Sequence, residues 1–209
     1  MKPRVAILLG LLFLSPAEGR AAEGYRVYES TAASVNGEVL FVSDVAREAC
    51  FLRCAAMPGS KEEILSSRGA RERLILDTLA LQEQRKLLLG AVDNAALEGY
   101  ARGAASRMAA CPSPCKQEIA PGETREWIRR KLLLRDFFNR RVAVFVEVKD
   151  DDVRKELARR SSAPGNGAKP TLEEVRDEML DARIAREIRN WQSRAASKSR
   201  LILSPLEDR

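Results

Sequence analysis

Four cysteines are the residues whose type and spacing most directly imply chemistry in this chain. Cys50 and Cys54 stand four positions apart, and so do Cys111 and Cys115. On a helix, an i, i+4 pair lies on one face, and the segment around Cys50 reads as helix. Cys111-Pro112-Ser113-Pro114-Cys115 carries two prolines and cannot continue a regular helix. Two chemistries fit the four thiols. In an oxidising compartment they form two disulfides, with three possible connectivities. The preferred one is the antiparallel match, Cys50–Cys115 with Cys54–Cys111, which ties the first helix to the proline-containing loop. The alternative is a zinc site built from all four thiolates, although C-x-x-x-C is less usual for zinc than C-x-x-C. A redox-active pair fits less well, because there is no C-x-x-C and no alternation of strands and helices. The disulfide reading implies no metal and no cofactor.

The rest of the sequence argues against catalysis. Histidine is absent, which removes Ser-His and Cys-His nucleophile systems, most zinc hydrolase sites and the commonest general base near neutral pH. No GxGxxG, GxxxxGK[ST] or GxSxG motif occurs. Carboxylates are plentiful, but no spacing singles out a pair. The expectation is a protein that binds rather than an enzyme.

These residues need elements to position them. Residues 1–4, MKPR, are basic, residues 5–14 are almost wholly apolar, and Ala17, Gly19 and Ala21 supply small residues. This is the pattern of a secretory signal peptide, since the apolar run is far shorter than the roughly 20 residues of a membrane span. Cleavage is expected after Ala21, or else after Ala17. Removing 21 residues leaves 188, within the size of one domain. It also lowers the formal charge from +6 to about +4, a mild excess. Arg125, Arg129, Arg130, Lys131, Arg135, Arg140 and Arg141 cluster and read as a solvated helix face rather than a nucleic-acid stripe.

Residues 33–42, ASVNGEVLFV, read as a short strand with an Asn-Gly turn or bulge. Ser43-Asp44 cap a helix starting near Val45 and ending near Ala56, before Pro58-Gly59. Ser60 with Glu63 forms a capping box. Helices follow over 71–89 (ending at Gly90), 94–110 (capped by Asp93) and 124–142 (after Pro121-Gly122). Residues 144–146 read as an extended bridge, and Asp150–Asp152 open a helix to about Arg160. Residues 161–170, SSAPGNGAKP, are linker-like. Thr171 with Glu174 is a second capping box, starting a helix with Val175, Met179, Ile184, Ile188 and Trp191 on one face. Residues 200–203, RLIL, read as a last strand or as a frayed tail. Pairing it with the first strand satisfies both backbones. The fold class is mostly α, with a short two-stranded pairing of N- and C-terminal segments.

Taken together, the segment SVNGEVLFVSDV, the leucine-rich stretch 74–89 and VEVKDDDVRKEL resemble the N-terminal chaperone module of SurA-type periplasmic proteins. The quoted features are Val35-Asn36-Gly37, Ser43-Asp44 and Val146-Glu147-Val148-Lys149-Asp150. The resemblance spans residues 33–204, with Val175–Trp191 and Leu201–Leu203 resembling the returning helix and strand. One departure bears on mechanism. SurA-type proteins insert parvulin isomerase domains at the position held here by the ten residues 161–170. The short loop and the lack of histidine imply no prolyl isomerase activity.

The resemblance implies a periplasmic holdase that binds unfolded or extended polypeptides of envelope proteins by burying their apolar side chains. Candidate groove residues come from the apolar faces of helices 71–89, 124–142 and 175–191, but the particular peptide-binding residues are not identified. Two other readings stand beside it: an adaptor with one dedicated partner in an export or envelope-assembly system, and an isomerase-family accessory protein without activity. No nucleic-acid partner and no membrane insertion after cleavage are expected, and a monomer is the default.

Overall fold

The computed structural model describes residues 29–55, 66–88, 92–112, 115, 119, 122–162 and 169–206. The leader with both cleavage points, Pro58-Gly59, the Ser60/Glu63 box, Gly90, Pro121 and residues 163–168 of the linker-like loop lie outside these residues. Of the described residues, 72% are helical, alongside a three-stranded antiparallel sheet, so the fold is mostly α.

Strand β1, Thr31–Val35, and strand β2, Glu38–Phe41, form a hairpin. Its two-residue turn is Asn36-Gly37, with φ of 53° and 93°. Both angles lie in the left-handed region, which asparagine and glycine tolerate and which suits the twist of a tight hairpin. The sequence reading is one short strand with an Asn-Gly turn or bulge; the turn is found, and it joins two strands. Two strands form because Val35 pairs with Glu38 directly across the turn, and the register shift falls later, between Thr31 and Ala33. Strand β3, Leu201–Leu203, pairs antiparallel with β1, giving the order β2-β1-β3. The terminal strands therefore pair as expected, and β2 makes the sheet three-stranded rather than two-stranded.

Helix α1, Val42–Cys54, starts directly from β2, three residues before the expected start. The Phe41 amide donates to Asp44 Oδ2 at 2.9 Å, so Asp44 caps from inside the first turn rather than ahead of it. Helix α2, Ser67–Lys86, is capped by Ser66, whose hydroxyl accepts from the Gly69 amide at 3.2 Å. Helix α3, Asn94–Ala109, is capped by Asp93, which accepts from the Ala95 and Ala96 amides. Helix α4, Glu123–Arg141, leads into a single 3-10 turn, Ala143–Phe145, where an extended bridge was expected. The Phe145 and Val146 amides close that turn on Val142 and Ala143. Helix α5, Asp150–Ser161, opens with three aspartates that complement its positive end. Helix α6, Leu172–Ser197, begins with the Thr171/Glu174 box, both of whose hydrogen bonds are made (2.7 and 3.2 Å), and continues past Trp191 to Ser197.

Three apolar clusters join these elements. Ala33, Val35 and Leu40 of the sheet pack on Val45 of α1 and Leu74, Ile75 and Leu79 of α2. Phe51 and Leu52 of α1 meet Leu97 and Met108 of α3 and Trp127 and Ile128 of α4. Ala80 of α2 and Leu134 and Phe137 of α4 form the third, with Trp191 of α6 packed against them. Helix α5 lies on α6, where Val153 and Val175 are fully buried. No helix among the described residues is long and apolar enough to cross a membrane.

Candidate functional site

The cysteines adopt the antiparallel pairing. Cys50 is bonded to Cys115 and Cys54 to Cys111, with Cα separations of 5.3 and 5.6 Å. Helix α1 sets this up, because one turn carries Cys50 and Cys54 onto the same face and each meets one end of the 111–115 segment. Among the described residues, Cys54, Cys111 and Cys115 are also the one group with metal-ligand spacing, their sulfurs lying within 4.8 Å of one another. Zinc and the bridges would therefore use the same sulfurs, and in the bonded form no thiolate is left to coordinate.

Beside this lies a buried ionic cluster that the sequence reading missed. Glu48 of α1 has no exposed side-chain surface. Its Oε1 accepts from Lys131 Nζ at 2.9 Å, and its Oε2 accepts from Trp127 Nε1 at 2.9 Å and from Arg130 Nη2. Lys131 Nζ also donates to Asp77 Oδ2 of α2 at 2.9 Å. It sits 5.2 Å from the centre of the Trp127 ring. Both Glu48 oxygens are taken by donors, so the cluster acts as a polar brace across α1, α2 and α4. The signal was present in the sequence. Glu48, Asp77 and Lys131 each interrupt an apolar register, between Val45 and Leu52, Leu74 and Leu81, and Ile128 and Leu132.

The basic cluster is consequently not one solvated face. Lys131 is buried among the three helices and Arg130 is held by Glu48. Arg125 pairs with Glu98 at 2.8 Å, Arg129 with Glu126 at 3.8 Å and Arg140 with Asp136 at 2.9 Å, and Arg135 lies over the Tyr100 ring. Arg141, the seventh of these cations, is exposed and has no ion pair or side-chain hydrogen bond among the described residues.

Two of the three expected groove faces are used up by the core. Leu74, Ile75 and Leu79 of α2 are buried, as are Trp127, Ile128, Leu132, Leu134 and Phe137 of α4. Helix α6 differs: only Val175 is fully buried, while Met179, Ile184, Ile188 and Trp191 are half-buried. Exposed apolar side chains gather elsewhere, on the 3-10 turn at Val144 and Phe145 and along β3. Leu201, Ile202 and Leu203 are 36, 54 and 57% exposed, and β3 is an outer strand of its sheet. The Asn36 amide donates to the Arg200 carbonyl at 2.9 Å and the Ser204 amide to the Ala32 carbonyl at 3.2 Å. By the alternation of an antiparallel ladder, the Leu201 and Leu203 amides and carbonyls then point away from β1. Short apolar runs signal a strand, but not which strand ends up outermost, so sequence reasoning did not pick out this edge.

In comparison with known proteins, no family model matches the chain and no curated protein matches it.

Proposed function

We propose that this chain is an exported holdase that binds extended, unfolded polypeptide without catalysing a reaction. The observation that carries the reading is the apolar edge at Leu201–Leu203, which no other strand covers among the described residues. An outer strand with unpaired backbone groups is a template for adding another strand. Main-chain hydrogen bonds give affinity for any sequence, and alternate side chains add apolar contact. That combination suits many unrelated clients, since the backbone is common to all of them. The exposed Val144 and Phe145 and the half-buried stripe of α6 offer further adaptable apolar surface.

The periplasmic setting and the SurA-like organisation belong to the same proposal. They rest on the leader-like first 21 residues, the paired cysteines and the hairpin-and-returning-strand arrangement. On this reading, residues 22–209 act as one chaperone unit and a monomer.

The test is suppression of aggregation when a urea-denatured outer-membrane protein is diluted into rising amounts of the oxidised chain. Protection should rise with dose and be competed by unrelated unfolded chains. Ile202→Lys should weaken protection while leaving the melting temperature near wild type, because a charge on an exposed edge discourages strand addition. Absence of both protection and binding would reject the holdase and favour a dedicated partner, to be sought by cross-linking in the periplasm.

A further inference from the structure

A second surface has no role in the edge just described. A cleft of about 760 Å³ opens where the C-terminal ends of α2, α4 and α6 meet the tip of the hairpin. Five cations line it, Arg85, Lys86, Arg141, Arg194 and Lys198, against one carboxylate, Glu83. Arg85 is paired with Glu38 at 2.9 Å and Lys86 with Glu83 at 3.8 Å. Among the described residues, the side chains of Arg141, Arg194 and Lys198 have no ion pair or hydrogen bond, and all three are exposed. Trp191 also lines the cleft. Its ring is held edge-on by Phe137 and Phe138, with centroids 5.2 and 5.5 Å away, so it presents a fixed aromatic surface beside the cations.

Basic residues in a last helical turn ordinarily offset the negative end of the helix. That accounts for one cation at each end, but not for the convergence of three helix ends on one concave, aromatic-lined space. The last carbonyls at the cleft are already satisfied: Arg194 accepts from Ser197 Oγ, Ala195 from Ser199 Oγ, Ala196 from the Ser199 amide, and Glu83 and Arg85 from the Leu87 and Leu88 amides. What the cleft offers a ligand is therefore its three unpaired cations, spaced over the ends of α4 and α6, and the Trp191 ring. A ligand that uses both carries several spaced carboxylates and an apolar or aromatic group. An acidic stretch of polypeptide with an aromatic residue has both, whereas a phosphate or a phospholipid headgroup presents one compact anion and no aromatic group.

We propose that this cleft binds acidic, aromatic-containing segments of polypeptide, with Arg141, Arg194 and Lys198 as the charge-reading residues. The inference deepens the polypeptide-binding reading, on which its class of ligand rests, but it uses different residues from the β3 edge. It predicts that the protein prefers clients with acidic segments and that this preference, unlike apolar edge binding, fades with salt.

The probe is a short fluorescein-labelled peptide alternating glutamate with glycine and carrying one phenylalanine, read by anisotropy on the full mature chain. A charge-reversed lysine peptide, inorganic phosphate and phosphatidylglycerol vesicles serve as comparisons. Wild type should bind the acidic peptide at least about tenfold more tightly than the lysine peptide at low salt. Replacing the three residues together, Arg141→Gln, Arg194→Gln and Lys198→Gln, should remove that difference, whereas Ile202→Lys should leave it intact. Equal binding of the two peptides, or an unchanged triple variant with native circular dichroism, would overturn the proposal. So would phosphate or vesicles competing as well as the peptide. If the triple variant does not fold, the two peptides on wild type decide alone. Acidic-peptide binding without aggregation suppression would reject the holdase and keep the cleft. Suppression without charge preference would reject the cleft and keep the holdase.

Discussion

Asn36 and Arg200 hold each other twice, across most of the sequence: the Asn36 amide donates to the Arg200 carbonyl at 2.9 Å, and the Arg200 amide donates to Asn36 Oδ1 at 2.9 Å. The residue that turns the hairpin thus also fastens the returning strand. Its left-handed backbone points the side-chain amide back across the sheet end, where Nδ2 reaches Gln82 Oε1 of α2 at 2.8 Å.

Asn36→Ala loses these side-chain bonds and places a less tolerant residue at positive φ. We expect about 2–3 kcal/mol lower stability in urea unfolding. Asn36→Gly keeps the backbone angle accessible and should cost only about 1 kcal/mol. Equal losses in the two variants would mean that the turn angle carries no weight.

That residue also shows how far local signals reach. The Asn-Gly pair, the Asp93 cap and the Thr171/Glu174 box each act within a few residues, and each is found where the sequence puts it. The start of α1 was misjudged because Asp44 caps backwards onto Phe41, and an aspartate at a helix start reads the same whether it stands before or inside the first turn. The 3-10 turn at residues 143–145 was misread for a related reason, since Val-Phe-Val favours extended backbone until the preceding helix imposes its own winding. The site was less legible than the fold. Whether Leu201–Leu203 is an outer or inner strand, and whether Lys131 faces solvent or Glu48, depends on which elements arrive alongside, and periodicity within one element does not encode that.

The Glu48–Lys131–Asp77 cluster sets a clear ranking. Lys131→Ala removes the buried ammonium shared by two carboxylates, leaving Glu48 to Trp127 and Arg130 and Asp77 to Arg73, and should cost about 3 kcal/mol, whereas Arg130→Ala removes a half-exposed partner from a carboxylate that keeps two other donors and should cost about 1 kcal/mol. Urea titration of both variants checks the order. A double-mutant cycle between Glu48→Gln and Lys131→Met should show strong coupling, because the two groups share one buried contact.

Hydrogen bonds from Arg159 and then from Arg160 hold the Glu156 carboxyl down from 4.5 to about 2. Arg160 in turn pairs with Glu178, so this carboxylate helps orient the α5–α6 contact. A folded value below the unfolded one means that the contribution is complete above about 4.5 and is lost as pH falls through about 2. The Glu156 carboxyl resonance should therefore titrate near 2 at low salt, and near the ordinary glutamate value when Arg159→Gln and Arg160→Gln are combined. A wild-type midpoint at the ordinary value would show that these bonds do not persist in solution.

The two bridges join α1 to the 111–115 segment over sequence separations of 65 and 57 residues. In the chain-entropy description, a loop of that length stabilises by about 4 kcal/mol. The second bridge adds much less, because closing the first already brings its partners together. Replacing one pair by serine, either Cys50 with Cys115 or Cys54 with Cys111, should therefore be tolerated far better than replacing both. Reduction of wild type should resemble the double removal, with a large fall in melting temperature. Cys50 and Cys54 belong to the helix that also carries Phe51, Leu52 and Glu48, so loosening α1 should expose Trp127. A red shift of tryptophan emission on reduction, absent from either single-bridge variant, would report this. Peptide mapping under non-reducing conditions gives the connectivity directly. Zinc bound stoichiometrically by the protein as purified, with four free thiols, would replace the bridges by a thiolate site at the same sulfurs.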